Sequence, residues 1–406
     1  MQVQQIENIA FGLKKNWRQF SILVFVNGLV GALIGLERSI IPELASLEFG
    51  ISTHSALLSF ITAFGISKAI ANYFTGRLAS QFGTKNLLLT GWMIAIPVPL
   101  ILIYATSWNY IIAANVLLGI SQGFTWSSTV IMKIDLVGQK NRGLAMGINE
   151  FAGYFALGIS ALISAHISEQ YGVRPYPFYL GILIVTSGIF TTLLFVKDTA
   201  KFVQKEQGEN HSKRPKSVFL NTTFKDKILS SVTQAGLVNN LNDGMIWGLL
   251  PIVLGNSNFN NAQIGWIAGL YPMVWGIGQL FTGKMADHYS RKSMLFGGML
   301  LQGLAILCIP LSHEFGTLSF IAVILGLGTA LVYPTFLTLI AQHNAPKHRA
   351  ESVGIFRLWR DLGYAIGAIT SGIIADFFGI SGAIQSIGLL TILSAIIIQV
   401  RMPKNA

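Results

Sequence analysis

Arg357, Arg360, Asp361 and Tyr364 recur at i, i+3, i+4 and i+7 inside a long, mostly apolar stretch. That spacing puts all four on one face of a helix. Two kinds of chemistry suit such a face. Its charges can hold one another in a salt-bridge lattice, or its guanidinium groups can fork around a carboxylate or phosphate. Arg360 and Asp361 are neighbours and compensate in part, which leaves Arg357 in need of a partner. Other polar groups stand in apolar runs: Asn27, Glu37, Arg38, Lys68, Gln122, Glu150, Asn239, Asn240 and Asp243. Ionisable groups in hydrocarbon are costly, so each is a candidate for function. Asn240, Asp243 and Trp247 share one helical face, and Asn115, Gln122, Trp126 and Thr129 share another. Coupling to protons requires a carboxylate whose protonation responds to its surroundings; Glu150, Asp243 and Glu37 are the candidates, in that order. Glu37–Arg38 reads as a structural or gating pair. Asp243-Gly244 is expected to break its helix, Lys133 to snorkel to the interface, and Cys308 to be a small buried hydrophobe.

The elements that carry these residues follow from composition. Of 406 residues, 52% are hydrophobic and only 11% charged. Soluble surfaces need about twice that charged fraction, so the apolar excess must face lipid. A span takes about 20 apolar residues. The runs 86–132, 175–196, 244–283, 293–313, 315–346 and 377–400, with the more polar stretches 18–41, 54–76, 143–167, 228–254 and 350–375, supply twelve helices. The chain thus reads as an all-α membrane protein. Segment 1–17 is expected to form an interfacial helix, 18–196 and 228–401 two six-helix halves, and 197–227 a polar linker between them. Lys and Arg gather on one side of this topology, including Lys14, Lys85, Lys140, Lys205, Lys292, Lys347 and Lys404, which places both termini in the cytoplasm. The net charge of +11 is thereby explained without nucleic acid. One cysteine, and histidines without metal or nucleophile motifs, point to no cofactor, no metal site and no enzyme.

The two halves repeat. Phe74-Thr75-Gly76-Arg77-Leu78-Ala79 matches Phe281-Thr282-Gly283-Lys284-Met285-Ala286, and Gly119/Gly326, Arg142/Arg349, Gly147/Gly354 and Gly172/Gly379 keep the same offset of 207 residues. Pro42 and Pro251 stand 209 apart. A constant offset over six helices implies two pseudo-symmetric bundles about an axis along the membrane normal, with a site between them near the midplane. Glu150 and Arg357 are repeat partners by this offset.

The segments Gly76–Lys85 and Gly283–Lys292 resemble the signature loops of the major facilitator superfamily. The second copy keeps Asp287, with Arg291 and Lys292; the first keeps Gly76, Arg77, Gly83 and Lys85 but has Ser80 in the acidic slot. The resemblance covers the whole chain. It implies a monomeric secondary carrier that works by alternating access in a cytoplasmic (inner) membrane, with Asp287, Arg142 and Arg349 latching the cytoplasmic face. It makes the second and eleventh helices neighbours, which brings Lys68 to Asp361. It also makes Asn27, Gln122, Trp126, Asn240, Asp243 and Trp247 contacts for a small-molecule substrate. Arg357 and Arg360 suit an anionic or amphiphilic solute, with a proton as coupling ion and lipid as surroundings. Two departures weigh against drug–proton antiport: Asn115 replaces an arginine of the exporters, and Ile159 follows Gly158 where they have proline. An efflux pump for drugs or metabolites remains the alternative, and a receptor on a carrier fold is the non-transport reading.

Overall fold

Backbone polar groups in lipid must be satisfied within the segment, so apolar runs of this length have little choice but to be helical. The computed structural model describes residues 10–38, 40–138, 142–208, 217–257, 259–344 and 346–403. Among them are twelve long helices and no strand. The first half holds α1 Trp17–Arg38, α2 Ser59–Phe82, α3 Thr84–Ala95 (continued by Pro97–Tyr104), α4 Trp108–Val137, α5 Arg142–Tyr171 and α6 Tyr176–Phe195. The second holds α7 Lys227–Asn256, α8 Asn261–His288, α9 Arg291–Cys308 and α10 Phe315–Gln342. Its last two helices lie within Pro346–Arg401, which Gly379 divides at φ 78° into α11 (346–378) and α12 (380–401).

By length and apolarity alone, eight stretches among the described residues qualify as membrane spans, with α11 and α12 counted together. The helices that fall short are α2, α4 and α7. They carry Lys68 and Asn72; Asn115, Gln122 and Lys133; and Asn239, Asn240 and Asp243, all buried. The outer surface is apolar, with Leu183, Phe190, Leu194, Phe320, Leu389 and Leu393 exposed. The molecule thus keeps these polar groups within and presents apolar side chains without.

Repeat positions do the same backbone work. Gly172 ends α5 at φ 88°, and its counterpart Gly379 ends α11 at φ 78°; glycine adopts this region without Cβ strain. Lys85 Nζ donates to Leu193 O at 3.1 Å and Lys292 Nζ to Met402 O at 2.7 Å. Each lysine thus satisfies a carbonyl at the end of the last helix of its own half, so these two loop residues act within the halves. Arg291 opens α9, its Nε without a hydrogen-bond partner among the described residues. The side chains of Arg77, Arg142, Asp287 and Arg349, with Gly76, lie outside the described residues.

Four expectations need correction. Helix α7 runs unbroken through Asp243-Gly244 because a Cβ at Gly244 would meet Tyr364 O at 2.4 Å; the glycine serves close packing. Lys133 does not snorkel: it is fully buried and donates to Asn149 Oδ1 at 2.5 Å. Cys308 is exposed. Residues 10–16 form turns, tied by Asn16 Nδ2 to Leu136 O (3.1 Å), and helix starts only at Trp17; residues 1–9 lie outside the described set. In the linker, Ala200–Gly208 is helical, and Asp198 Oδ2 accepts from Lys85 N at 3.0 Å.

The halves meet along α2 with α11 and α5 with α8. Small residues let the backbones touch, since packing rather than water exclusion drives association in lipid. A Cβ at Gly147 would lie 2.4 Å from Gln279 O, one at Gly158 2.7 Å from Gly269 O, and one at Gly65 2.8 Å from Ala365 N. At the end of the bundle opposite the termini, Asp376 accepts from His54 N (2.9 Å) and Ser55 N (3.2 Å), joining α11 to the segment that leads into α2.

Gly147→Ala is expected to force α5 and α8 apart and to cost about 1–3 kcal/mol, the usual range for overpacking. Gly297→Ala, where nothing lies within 4 Å, is the control. Melting of the purified proteins in detergent checks this. Equal melting temperatures would show that the α5–α8 contact carries no such constraint.

Candidate functional site

The polar face of α11 meets α2, α4 and α7 at the junction of the halves. Asp361 is fully buried. Its Oδ1 accepts from Arg360 Nε at 2.7 Å and from Asn240 Nδ2 at 3.0 Å. Its Oδ2 accepts from Asn72 Nδ2 of the other half. Asn72 Oδ1 accepts in turn from Ser127 Oγ, and Ser127 Oγ accepts from Arg357 Nη1. Nε and Nη2 of Arg357 have no hydrogen-bond partner among the described residues.

Lys68 does not pair with Asp361, against expectation, because Asn72, Asn240 and Arg360 take the carboxylate. Its ammonium lies among three rings instead, 5.1 Å from Phe64, 5.2 Å from Tyr364 and 5.4 Å from Trp126. Such cation–π contacts are worth about 2 kcal/mol or more when desolvated, and they leave the hydrogen-bond donors free. Arg360 also lies over Tyr333 at 5.6 Å. Tyr333 OH donates to Asn240 Oδ1 at 3.2 Å, and Tyr154 OH donates to Tyr333 OH at 2.9 Å. Tyr154 stacks on Trp275, with centroids 3.5 Å apart, and Trp247 stacks on Tyr364 at 4.9 Å.

Three further carboxylates are buried nearby. Glu150 Oε1 accepts from Asn149 Nδ2 (2.6 Å) and Trp126 Nε1 (3.4 Å), and its Oε2 has no partner among the described residues. Asp243 Oδ1 accepts from Tyr271 OH at 2.6 Å. Glu37 Oε2 accepts from Asn115 Nδ2 at 3.4 Å. Glu37 and Arg38 form no ion pair with each other; Arg38 turns instead to the rings of Phe60, Phe64 and Trp247. Asn27 joins α1 to α5 and α4, donating to Asn149 O at 2.7 Å and accepting from Thr129 Oγ1 at 2.8 Å. Gln122 donates to Val30 O at 3.0 Å, and its Oε1 stays unpaired. Asn27 is therefore a brace between helices, while Gln122 keeps one free acceptor.

Among the described residues no His, Cys, Asp or Glu cluster is spaced to hold a metal. With Asp135 set aside, since it accepts from Thr199 Oγ1 at 2.6 Å near the termini, the buried cations Arg38, Lys68, Lys133, Arg357 and Arg360 outnumber the carboxylates Glu37, Glu150, Asp243 and Asp361.

Sequence reasoning passed over Asn72, Ser127, Asn149, Tyr154, Tyr271, Trp275 and Tyr333. The repeat held the signal. With the offset of 207, Phe64 answers to Tyr271, Lys68 to Trp275, Asn72 to Gln279, Trp126 to Tyr333 and Tyr154 to Asp361. All of these are buried, and Gln279's Nε2 and Oε1 have no hydrogen-bond partner among the described residues.

The family model described as Major Facilitator Superfamily matches residues 20–237 and again 232–406. Over 389 residues the chain is 24% identical to the proton-coupled antiporter flippase LtaA of Staphylococcus saprophyticus, covering 93% of this chain and 91% of that protein. Over 398 residues it is 24% identical to the multidrug resistance protein MdtG of Enterobacter lignolyticus, covering 94% and 91%. The crystal structure of the human organic anion transporter MFSD10 superposes with a TM-score of 0.75 at 15% identity, over 95% of this chain and 99% of that one, a likeness of fold.

Asp361→Leu strands Arg360 as a buried charge and is expected to cost about 3–5 kcal/mol, whereas the double change Arg360→Met/Asp361→Leu restores most of it. Unfolding of the single and double variants in detergent measures the difference. A double variant no more stable than the single one would show that Arg360 is not held by this carboxylate.

Proposed function

The chain belongs to the major facilitator superfamily, and on that premise we propose a secondary active transporter that moves a small organic anion or anionic amphiphile by alternating access, driven by protons. One observation carries the substrate class. Arg357 stands at the junction of the halves with Nε and Nη2 unpaired, beside a Lys68 ammonium held by ring faces. A carboxylate or phosphate there gains a forked guanidinium and an ammonium together. The flanking rings of Trp126, Tyr154, Trp275 and Tyr333 suit the apolar part of such a solute. Arg360 stays with Asp361 and holds the site together.

Glu150 is the proposed proton carrier. Its Oε2 is unpaired, and its Oε1 belongs to a chain that runs through Asn149 to Lys133. Protonation weakens that carboxylate as an acceptor and so loosens its tie to Trp126 of α4 within the first half. Asp243 and Glu37, each with one unpaired oxygen, are the next candidates. The relative named a proton-coupled antiporter flippase supports both protons and an amphiphile. The relative named a multidrug resistance protein supports the second reading, efflux of planar drugs along the aromatic wall. The placement of Lys and Arg supports cytoplasmic termini, an inner membrane fits the relatives, and the family supports a monomer.

Two measurements test this reading. Aromatic and alkyl carboxylates and phosphates are expected to raise the melting temperature of the purified protein; a ligand at 100 times its Kd adds about 2.7 kcal/mol. Arg357→Ala should abolish that response while the protein stays folded. Stabilisation by cations or neutral compounds only, indifferent to Arg357, would move the site to Asp243 and Glu150. In proteoliposomes, flux of a stabilising solute should follow an imposed pH gradient, and Glu150→Gln should bind but ignore the gradient. Wild-type flux that is unchanged when the gradient collapses would sink proton coupling.

A further inference from the structure

Arg38 has no task in the scheme above. It closes α1, is 4% exposed, and none of its three guanidinium nitrogens has a hydrogen-bond partner among the described residues. Its guanidinium lies 4.5 Å from the Phe64 ring, 4.7 Å from Trp247 and 5.4 Å from Phe60. Ring faces recover part of the cost of burying this charge but leave five N–H donors unused. Glu37, its neighbour in sequence, is turned to Asn115.

Space adjoins this group. A void of about 20 Å³ lies beside Arg38, between Leu157, Ala161, Trp247, Leu250 and Pro251. Pro251 also lines a cavity of about 410 Å³ that opens at the face opposite the termini, between Pro42, His54 and Phe259, with Glu43 among its walls. Arg38 thus sits one layer of side chains below that cavity. On its other side, the Phe64 ring faces Arg38 at 4.5 Å and Lys68 at 5.1 Å, so a single ring separates the two cations. Trp247, over which Arg38 lies, stacks on Tyr364, the ring that also faces Lys68.

We infer that Arg38 is a second, outer binding site for the anionic group of the solute. When α1 and α5 part from α7 at the face opposite the termini, the guanidinium becomes the floor of the cavity. It takes a carboxylate, sulfonate or phosphate ester by its fork, and the group then steps past Phe64 to Lys68 and Arg357. The inference rests on the anionic reading of the central site, but its test needs no solute.

In a Cys308→Ala background, Ala161→Cys places a thiol against the void. Two membrane-impermeant methanethiosulfonates, one bearing a sulfonate and one a trimethylammonium group, are applied to whole cells, and each rate is divided by that reagent's rate with a free thiol. The sulfonate reagent is expected to react about tenfold faster by this measure, the lower end of electrostatic focusing in a cleft. Arg38→Gln should remove the preference and Arg38→Lys should keep it. Leu250→Cys, on another wall of the void, repeats the measurement should the first thiol disturb folding. No reaction at either thiol, or a preference that survives Arg38→Gln, overturns the inference. The central reading fails by a different sign, the indifference of anion stabilisation to Arg357→Ala, so the two failures are distinguishable.

Discussion

A carboxylate sealed between helices in lipid is tolerable only if donors surround it, and Asp361 draws its donors from both halves of the molecule. Arg360 and Asn240 come from its own half and Asn72 from the other. Much of the interior follows from that arrangement. With Asp361 occupied, Lys68 is left to the rings of Phe64, Trp126 and Tyr364. With Asn72 turned to Asp361, its carbonyl takes Ser127, and Ser127 takes one nitrogen of Arg357. The remaining guanidinium nitrogens of Arg357 are what the network leaves over. A buried charge pair of this kind adds little stability by itself, yet breaking it is costly. It therefore acts as a register mark, holding α2, α7 and α11 in one alignment.

The duplicated scaffold gives each inward position two copies, and the chemistry differs between them. At the repeat positions Lys68 is answered by Trp275, cation by ring, and Glu150 by Arg357, carboxylate by guanidinium. Where both copies keep glycine, as at Gly147 and Gly354, the backbone approaches the opposite half. At this pair the symmetry is kept, whereas it is given up where side chains meet at the axis. The two walls of the junction therefore present different groups.

The contacts between halves suit a rocking motion. Glycine lets α5 approach α8 and α2 approach α11 at backbone distance, and in lipid no hydrophobic driving force resists their parting. Across the halves, Asp376 ties α11 to the start of the α2 region at one end. Asp198 and Thr199 fasten the start of the linker to α3 and α4 within the first half.

Periodicity and composition settled the helices, because an apolar run in lipid has one way to satisfy its backbone. The 207-residue offset settled the two bundles, and the spacing of Arg357, Arg360, Asp361 and Tyr364 settled their common face. The sequence also set α2 and α7 among the more polar stretches and put a polar face, Asn115, Gln122 and Thr129, on α4. Partnership was a different matter. Lys68 pairs with rings rather than Asp361, Lys133 lies buried on Asn149, and Glu37 and Arg38 part company, because rotamers and the neighbours that helix packing supplies decide which donor reaches an acceptor. Tyr154, Trp275 and Tyr333 read as ordinary apolar residues along the chain. Only the crossing of α5, α8 and α10 turns them toward the charges, since a ring becomes part of a site through what faces it.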